Sequence, residues 1–449
     1  MDRIIADFSM LIHFGSLEIL SAIISKGTDI TMSADLTGSA DISIFGNVTI
    51  QGNALLTSQT TDGDFSGSIT LPYDSELTVG TWTSLPGTVI LDGGRLTGSG
   101  EVGNVIALAN EIPTFYTSIR GTLTVQSSET RITIESGVFN AGGVAVDTSG
   151  TELGSASVTY LQLGYATEGD VLLTAVGDRL YLDPQDRLEG RVFFGEGDDL
   201  FSSKGSSLGR ILAGHGNDTI AFLNDSHFGT EATHTGRIFL QSGDDLATGA
   251  LPSPNQIYGG PGNDTITGGR LDDRLYGQGD DDSLSGFEGA DKLDGGPGAD
   301  VIDGGDDPDT LIGGPGEDTI DAGHGGDRVW AGPGADDVRG GFGPDVFVIR
   351  SLDEIPVGPS FDQIEVIRDF EDNNDVIQLT RIDADTTTPG DQAFEFVSNA
   401  AFSGTPGELR FERIGMGTLV ELDVDGDRSA DGHFLISGYP SLNASDFLL

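Results

Sequence analysis

Residues 259–348 consist of ten uninterrupted nine-residue repeats, which read GGPGNDTIT, GGRLDDRLY, GQGDDDSLS, GFEGADKLD, GGPGADVID, GGDDPDTLI, GGPGEDTID, AGHGGDRVW, AGPGADDVR and GGFGPDVFV. Every repeat has an aspartate at its sixth position and an apolar residue at its eighth. The aspartates are Asp264, Asp273, Asp282, Asp291, Asp300, Asp309, Asp318, Asp327, Asp336 and Asp345. A disordered acidic linker would not keep both residue types in phase through ten repeats, so the segment is expected to fold.

The order of residue types within a repeat predicts a tight turn followed by a short strand. Glycines at positions two and four permit positive φ and let the backbone approach an ion. The glycines expected in such ion-binding turns are Gly260, Gly262, Gly296, Gly298, Gly314, Gly316, Gly332 and Gly334. The eighth residue points inward because side chains alternate along a strand. Two repeats are expected to complete one turn of a right-handed solenoid, with odd and even turns on opposite edges.

The stacked aspartates predict cation sites. Equivalent carboxylates on one edge would lie about 4.8 Å apart, which is the strand spacing. Two such charges repel by about 1 kcal/mol in water and by about 3.5 kcal/mol at an effective dielectric constant of 20. Calcium suits these turns because it accepts carboxylate and carbonyl oxygens in irregular geometry. If each ion bridges one repeat to the next but one, ten repeats give 10 − 2 = 8 bridges, or about eight ions.

Four repeats depart from the glycine pattern. Leu271, Asp280 and Asp307 replace the fourth-position glycine, while Gln278 and Phe287 replace the second-position glycine. Repeats two, three and six are therefore expected to bind an ion more weakly or to hold a distorted site.

The repeats fit the pattern GGxGxDxUx and resemble the calcium-binding repeats of RTX proteins. Composition agrees with this resemblance, because 72 acidic and 22 basic side chains give a net charge of −50. Nucleic acid and anionic membrane surfaces are consequently not expected as partners.

The chain has no cysteine, so neither disulfides nor thiolate metal sites are expected to stabilise the fold. Bound calcium is expected to take that role outside the cell.

The region after the last repeat carries a second resemblance. Residues 362–385 (DQIEVIRDFEDNNDVIQLTRIDAD), 393–411 (AFEFVSNAAFSGTPGELRF) and 419–442 (LVELDVDGDRSADGHFLISGYPSL) occur in the order seen in the serralysin family of secreted metalloproteases. Over about residues 259–449 the chain resembles the RTX roll and C-terminal domain of that family. The resemblance implies a cap on the roll and an uncleaved signal for a type I secretion apparatus, matched by Asp446, Phe447, Leu448 and Leu449.

Localisation is expected to be extracellular. The N-terminal residues lack a basic leader, an uninterrupted apolar core and a cleavage site, so no cleaved signal peptide is expected. No stretch is long and apolar enough to span a membrane.

Candidate catalytic motifs are few. The zinc motif HExxH of the serralysin proteases is absent, so the chain is not expected to be a zinc protease. His227, Glu231 and His234 have a spacing that would permit a zinc site, but a surface loop is favoured. Gly205 to Gly209 reads GSSLG and fits the pattern GxSxG, yet a turn and strand follow where a hydrolase needs a helix.

Less regular acidic turns flank the repeats. Asp199, Asp218 and Asp245 take the sixth position in FGEGDDLFS, AGHGNDTIA and LQSGDDLAT, and are candidate calcium ligands with ordinary Asx turns as the alternative. The aspartates in DVDGDRSADG, residues 423–432, have the spacing of oxygen ligands but not the pattern of an EF-hand. A polar hairpin tip explains them equally well.

The sequence predicts an all-β chain in four parts. Residues 1–190 form a β-rich N-terminal domain, with a parallel β-helix preferred over a β-sandwich and a trace of helical periodicity only in residues 3–25. Residues 191–258 are irregular RTX-like coils, residues 259–348 the regular β-roll, and residues 349–449 a β-rich cap.

Two functions follow from this organisation. The first is a secreted, non-enzymatic calcium-binding protein of the cell surface or extracellular matrix. The alternative is a polysaccharide lyase or epimerase carried by the N-terminal domain, for which Tyr116, Arg120 and Arg131 are the candidate residues. An extracellular polysaccharide is accordingly a candidate partner.

Overall fold

The computed structural model describes the strands between residues 3 and 165 and most of residues 166–449. Within the second range it leaves aside residues 174–176, 185, 208, 224–231, 250–252, 358–364 and 372–373. The chain divides into two compact units, Met1–Gly236 and Arg237–Leu449. In the part of the chain that is described, no helix combines the length and the apolar character needed to cross a membrane.

Unit one is built from strands that pair in parallel. Its first strands are β1 (Arg3–Ala6), β2 (Met10–Glu18), β3 (Ser21–Ile24), β4 (Asp29–Gly38), β5 (Asp41–Ile44), β6 (Asn47–Ile50), β7 (Asn53–Leu56), β8 (Ser68–Pro72), β9 (Glu76–Val79), β10 (Ser84–Asp92), β11 (Arg95–Gly98), β12 (Glu101–Ala107), β13 (Thr114–Phe115), β14 (Ser118–Ile119), β15 (Leu123–Val125), β16 (Arg131–Ile134), β17 (Phe139–Asp147), β18 (Tyr160–Leu163) and β19 (Ala166–Leu172). One row of paired residues runs through Ile30, Val48, Ile69, Val89, Val105 and Leu123. This parallel stacking confirms the β-helix and not the β-sandwich, whose sheets would be antiparallel.

The trace of helical periodicity in residues 3–25 was misleading. This segment forms strands β1 to β3, and β1 pairs with β3 in parallel from Arg3 to Ala6. A short apolar run fits a helix or a strand equally well in sequence, and pairing with neighbouring coils decides between them.

The last coils of unit one contain three strands each. The strands are β20 (Arg179–Leu182), β21 (Arg187–Leu188), β22 (Val192–Phe193), β23 (Leu200–Ser203), β24 (Ser206–Ser207), β25 (Ile211–His215), β26 (Thr219–Phe222) and β27 (Thr233–His234). Strands β20, β23 and β26 form one sheet, β22 and β25 a second, and β21, β24 and β27 a third. The coil cross-section here is therefore three-sided.

Unit two begins with a two-sided solenoid. Its strands are β28 (Ile238–Ser242), β29 (Leu246–Thr248), β30 (Gln256–Pro261), β31 (Thr265–Thr267), β32 (Arg274–Gly279), β33 (Ser283–Glu288), β34 (Lys292–Asp294), β35 (Val301–Asp306), β36 (Thr310–Ile312), β37 (Thr319–His324), β38 (Arg328–Trp330), β39 (Asp337–Arg339) and β40 (Val346–Val348). The even-numbered strands pair in one sheet, called the first sheet, and the odd-numbered strands in the second sheet. The prediction that two repeats make one turn of a β-roll is confirmed.

The core of the roll is one residue thick on each side. The eighth-position residues of the first sheet are Leu275, Leu293, Leu311, Val329 and Phe347, and those of the second sheet are Ile266, Leu284, Ile302, Ile320 and Val338. Each is at most 2 % exposed. Burying one such side chain contributes about 1.5–3 kcal/mol, so the apolar periodicity holds the two sheets together.

Truncating a core residue should destabilise the roll far more than truncating its neighbour. Ile302 is 1 % exposed, whereas Val301 is 51 % exposed on the outer face of the same strand. We expect Ile302→Ala to lower the free energy of unfolding by about 3 kcal/mol and Val301→Ala to change it by less than about 0.5 kcal/mol. Chemical unfolding of the calcium-loaded protein measures both values. Equal losses would contradict the assignment of Ile302 to the core.

The cap continues both sheets of the roll. It comprises a 3-10 turn at Leu352–Glu354, strands β41 (Val366–Ile367), β42 (Val376–Gln378), β43 (Glu395–Ser398), β44 (Glu408–Ile414), β45 (Gly417–Asp423) and β46 (Gly432–Ser437), a second 3-10 turn at Ala444–Asp446, and β47 (Phe447–Leu448). Strand β41 pairs with β39, and β42 pairs with both β40 and β47. An antiparallel meander, β44 to β46, completes the cap.

Candidate metal centre

Hydrogen bonds join the aspartates along each edge of the roll. In the first eight repeats, the backbone amide of the sixth-position aspartate donates to Oδ1 of the aspartate two repeats later, as from Asp264 to Asp282 at 2.8 Å and from Asp291 to Asp309 at 2.7 Å. The odd edge contains Asp245, Asp264, Asp282, Asp300, Asp318 and Asp336. The even edge contains Asn255, Asp273, Asp291, Asp309, Asp327 and Asp345. One carboxylate oxygen per turn is thereby used to hold neighbouring turns together.

The second carboxylate oxygen has no such partner. Within the part of the chain that the structure describes, Oδ2 is buried and accepts no hydrogen bond in nine of the ten repeats, at Asp264, Asp282, Asp291, Asp300, Asp309, Asp318, Asp327, Asp336 and Asp345. A buried polar atom without a partner is costly, and a buried negative charge is costlier still. Cations bound along the two edges would satisfy all nine oxygens.

Backbone oxygens lie beside these carboxylates. At Gly277, the first residue of repeat three, a Cβ atom would lie 2.1 Å from Asp282 Oδ2 and 2.6 Å from the carbonyl oxygen of Gly295. The carboxylate of one repeat and a carbonyl of the next repeat on that edge therefore converge on the space beside the Gly277 Cα atom. Oxygen-only ligands from carboxylates and carbonyls are the set that calcium prefers.

Burial raises the pKa values of these carboxyl groups. The pKa rises to about 8 for Asp282 and Asp309. It rises to about 7 for Asp264, Asp291, Asp318, Asp336 and Asp345, and to about 6 for Asp300 and Asp327. At Asp282, loss of solvation is the largest cause; the amide of Asp264 opposes it, and repulsion from the carboxylates of Asp264 and Asp300 adds to it. The fold thus favours a proton or a metal ion at each aspartate.

The turn glycines are required by close contact with the preceding turn. All eight glycines expected in the ion-binding turns would place a Cβ between 1.5 and 2.3 Å from a backbone carbonyl oxygen of the preceding coil. Seven of them also have positive φ, namely Gly260, Gly262, Gly296, Gly298, Gly314, Gly316 and Gly332, and Gly334 does not. Substitution at these positions would force neighbouring turns apart.

Repeat two is the one distorted turn among repeats two, three and six. Asp280 and Asp307 keep the positive φ of the glycines they replace, at 71° and 80°. Leu271 does not adopt positive φ, and Asp273 Oδ2 accepts the amide of Gly269. The expected distortion is therefore found in repeat two, while repeats three and six retain the regular turn.

This difference between repeats predicts unequal effects of one substitution. Asp282→Asn should lower the number of bound calcium ions by about one, because an amide nitrogen would replace a carboxylate oxygen without a protein partner. Asp273→Asn should leave the number unchanged, because Asp273 Oδ2 is already hydrogen-bonded. Equilibrium dialysis with calcium gives the count for each variant. An equal loss in both would show that Asp273 also binds an ion.

Aspartates upstream of the regular repeats form a similar ladder in unit one. The amide of Asp178 donates to Asp199 Oδ1, and the amide of Asp199 donates to Asp218 Oδ1 at 2.8 Å. Burial raises the pKa of Asp199 to about 8. The sequence indicated Asp199 and Asp218 but missed Asp178, although Asp178 and Leu180 have the spacing of the sixth and eighth positions. Asp245 belongs to unit two, where it begins the odd edge.

The ladder also extends into the cap. The amide of Asp345 donates to Asp375 Oδ1 at 3.0 Å, and Asp369 accepts the amides of Gly340 and Gly341 at 2.9 Å. On the odd edge, Glu365 is buried beyond Asp336, and burial raises its pKa well above the usual value. Sequence reasoning missed these residues, although Asp375 and Ile377 repeat the sixth and eighth positions.

The acidic turn in the cap is stabilised by its own backbone. Carboxylate oxygens of Asp423, Asp425 and Asp431 lie within 4.8 Å of one another. Asp423 accepts the amides of Gly426 and Arg428, and Asp431 accepts the amide of Val424. These bonds account for the cluster as a hairpin tip.

The GSSLG segment contributes a serine to a buried pair. Ser207 Oγ lies 2.8 Å from His234 Nδ1, and the two residues are 1 % and 0 % exposed. Burial lowers the pKa of His234 to about 4. Strand β25 follows the segment where a hydrolase would have a helix, and a substrate cannot reach either side chain. The pair belongs to the interior of unit one.

The expectation that His234 lies in a surface loop was therefore wrong. Its ring lies 5.2 Å from that of Phe222, inside the last three-stranded coil. His227 and Glu231, the other candidate zinc ligands, lie outside the described residues. So do Tyr116, Arg120 and the side chain of Arg131, the candidates for a lyase or epimerase site.

Comparison with known proteins supports RTX-type calcium-binding repeats in unit two. The model of the RTX calcium-binding nonapeptide repeat, which spans four copies, matches residues 253–275, 267–302, 294–329, 303–338 and 312–347. No curated protein matches the chain. The family match covers the segment that carries both aspartate ladders, and it supports calcium as the bound metal.

Proposed function

We propose that the protein is a secreted, non-enzymatic calcium-binding protein whose roll folds when calcium binds outside the cell. The observation that carries this proposal is the set of nine buried Oδ2 atoms without a hydrogen-bond partner. A cation of double charge offsets their repulsion and replaces the solvation that they lose on burial.

The ligands are assigned from the residues at each edge. The sixth-position aspartates other than Asp273 supply Oδ2, and turn carbonyls such as that of Gly295 supply the backbone oxygens. We assign about eight ions to the regular repeats, with Asp199, Asp218 and Asp245 as further ligands upstream. Asp369 and Asp375 are not assigned as ligands, because both carboxylate oxygens of each accept backbone amides.

We also propose that residues 349–449 form a serralysin-type cap with a type I secretion signal at residues 446–449. In the folded chain Asp446 is 0 % exposed and Phe447 is 5 % exposed, and β47 pairs with β42. A transporter could read these side chains only before the cap folds. Scarce calcium inside the cell would keep the roll unfolded until export, because its carboxylates repel one another without an ion.

Export of the full chain from a host with a type I apparatus tests the secretion proposal. Deletion of residues 446–449 should abolish export but leave the calcium-induced circular dichroism change of the purified protein intact. A matched control is Tyr439→Ala, since Tyr439 is 57 % exposed in the same cap. Normal export of the deleted chain would remove the secretion signal from residues 446–449.

A further inference from the structure

The outer face of the first sheet differs chemically from the rest of the chain. Its seventh-position row, with Arg237 directly before β28, contains Arg237, Gln256, Arg274, Lys292, Thr310 and Arg328. Its ninth-position row contains Phe239, Tyr258, Tyr276, Asp294, Ile312 and Trp330. These twelve residues, called the basic-aromatic face, include four cations and one acid in a chain of net charge −50.

The second sheet presents the opposite character. The outward residues of its strands β31 to β39 are Thr265, Thr267, Ser283, Ser285, Val301, Asp303, Thr319, Asp321, Asp337 and Arg339. They include three acids and one cation. The basic-aromatic face is therefore a property of one sheet and not of the roll as a whole.

Aromatic rings form a continuous stack on the basic-aromatic face. Phe239 and Tyr258 lie 4.9 Å apart at an angle of 5°, and Tyr258 and Tyr276 lie 4.9 Å apart at 7°. The ammonium group of Lys292 lies 4.9 Å above the Tyr276 ring. Because Phe239, Tyr258 and Tyr276 are stacked, their facing ring surfaces cover one another, and the ring edges remain for contact with a ligand. Ring edges carry positive electrostatic potential and favour anions.

The cations of this face are available to an anion. Arg237, Arg274 and Arg328 are exposed, and among the described residues none of the three forms an ion pair. Arg328 donates to the neutral Gln378 side chain at 2.8 Å. Lys292 is the exception, with Asp294 Oδ2 at 3.3 Å. Guanidinium groups bind carboxylates through two parallel hydrogen bonds.

We propose that the basic-aromatic face binds a linear anionic polysaccharide of uronate type. The cations recur along the solenoid axis at multiples of the strand spacing, about 4.8 Å, which suits carboxylates repeated along one chain. The Gln256 amide and the Tyr258 hydroxyl, 2.6 Å apart, offer hydrogen-bonding groups for sugar hydroxyls. Single-stranded nucleic acid needs open ring faces for base stacking, and here most are covered. The proposal requires the calcium-folded roll and so rests on the proposed function.

Fluorescence anisotropy with a labelled hexauronate, at saturating calcium, tests the proposal on the full chain. The variant Arg237→Gln, Arg274→Gln, Arg328→Gln should bind at least about tenfold more weakly than the unmodified protein, with the loss reduced at high salt. A matched control, Arg210→Gln, Arg339→Gln, Arg413→Gln, removes the same charge elsewhere and should bind within about twofold. The single change Arg274→Glu serves if the triple variant fails to fold.

Three results would overturn the proposal: no binding of hexauronate by the unmodified protein, an equal loss in both triple variants, or equal binding of a labelled single-stranded oligonucleotide. Calcium-induced circular dichroism is recorded for every variant. Absence of that response would refute calcium-dependent folding, whereas a normal response without binding would refute only the polysaccharide site.

Discussion

Removal of calcium from the folded protein is expected to abolish most of the β-structure of the roll in one cooperative step. The aspartates on each edge are linked turn by turn through Oδ1, so loss of one ion weakens the contacts of the next turn. The roll has no cysteine to retain it. Its core is only two side chains across.

The expected size of this effect follows from linkage. At a free calcium concentration twenty times the dissociation constant, one site contributes RT ln 21, about 1.8 kcal/mol. Eight such sites contribute about 14 kcal/mol, comparable with the whole stability of a typical domain, about 5–15 kcal/mol. Repulsion between the uncompensated carboxylates opposes the metal-free fold as well.

Far-UV circular dichroism during titration with a chelator measures the loss, and hydrogen exchange of strands β30 to β40 locates it. Magnesium is the control ion, because its strict octahedral geometry and slow dehydration fit these turns poorly. It should not restore the spectrum at concentrations where calcium does. A spectrum unchanged by complete chelation would refute calcium-dependent folding of the roll.

The strict periodicity explains why the roll and its aspartates could be predicted from sequence. Residues such as Asp282 and Leu284 recur every nine positions, and each position has one environment in a regular solenoid. The side-chain spacing of a strand then decides which residue is buried. Where the nine-residue period is kept, the position of a residue within its repeat determines its place in the solenoid.

Where the period is lost, sequence spacing no longer identifies neighbours. Asp345 contacts Asp375, thirty positions later, because residues 349–374 intervene before β42 restores the pairing. Ser207 meets His234 through parallel pairing of β24 with β27 across a connection that has no repeat. Such contacts depend on the lengths of the connections, which no short motif encodes.

Acid is expected to substitute for calcium in folding the metal-free roll. The pKa of Asp282 is raised by burial from 3.8 to about 8. Burial also raises the pKa values of eight further regular-repeat aspartates, all except Asp273, to between about 6 and 8. A proton therefore binds the folded state more tightly than the unfolded state. This contribution to stability is complete below about pH 4. It is lost as the pH rises through about 6 to 8.

In the calcium-loaded protein the same protons compete with the metal, so acidification should release calcium while the fold persists.

Circular dichroism of chelated protein between pH 8 and pH 5 should show a gain of β-structure on the acid side. One variant removes the charge from the five regular-repeat aspartates of the odd edge, whose asparagine replacements can still accept a hydrogen bond at Oδ1. Its substitutions are Asp264→Asn, Asp282→Asn, Asp300→Asn, Asp318→Asn and Asp336→Asn. Folding of this variant without metal should depend less on pH, and the variant should bind fewer calcium ions. A chelated protein that stayed unfolded at pH 5 would contradict the prediction that protonation can replace calcium, even if this variant folded at pH 8.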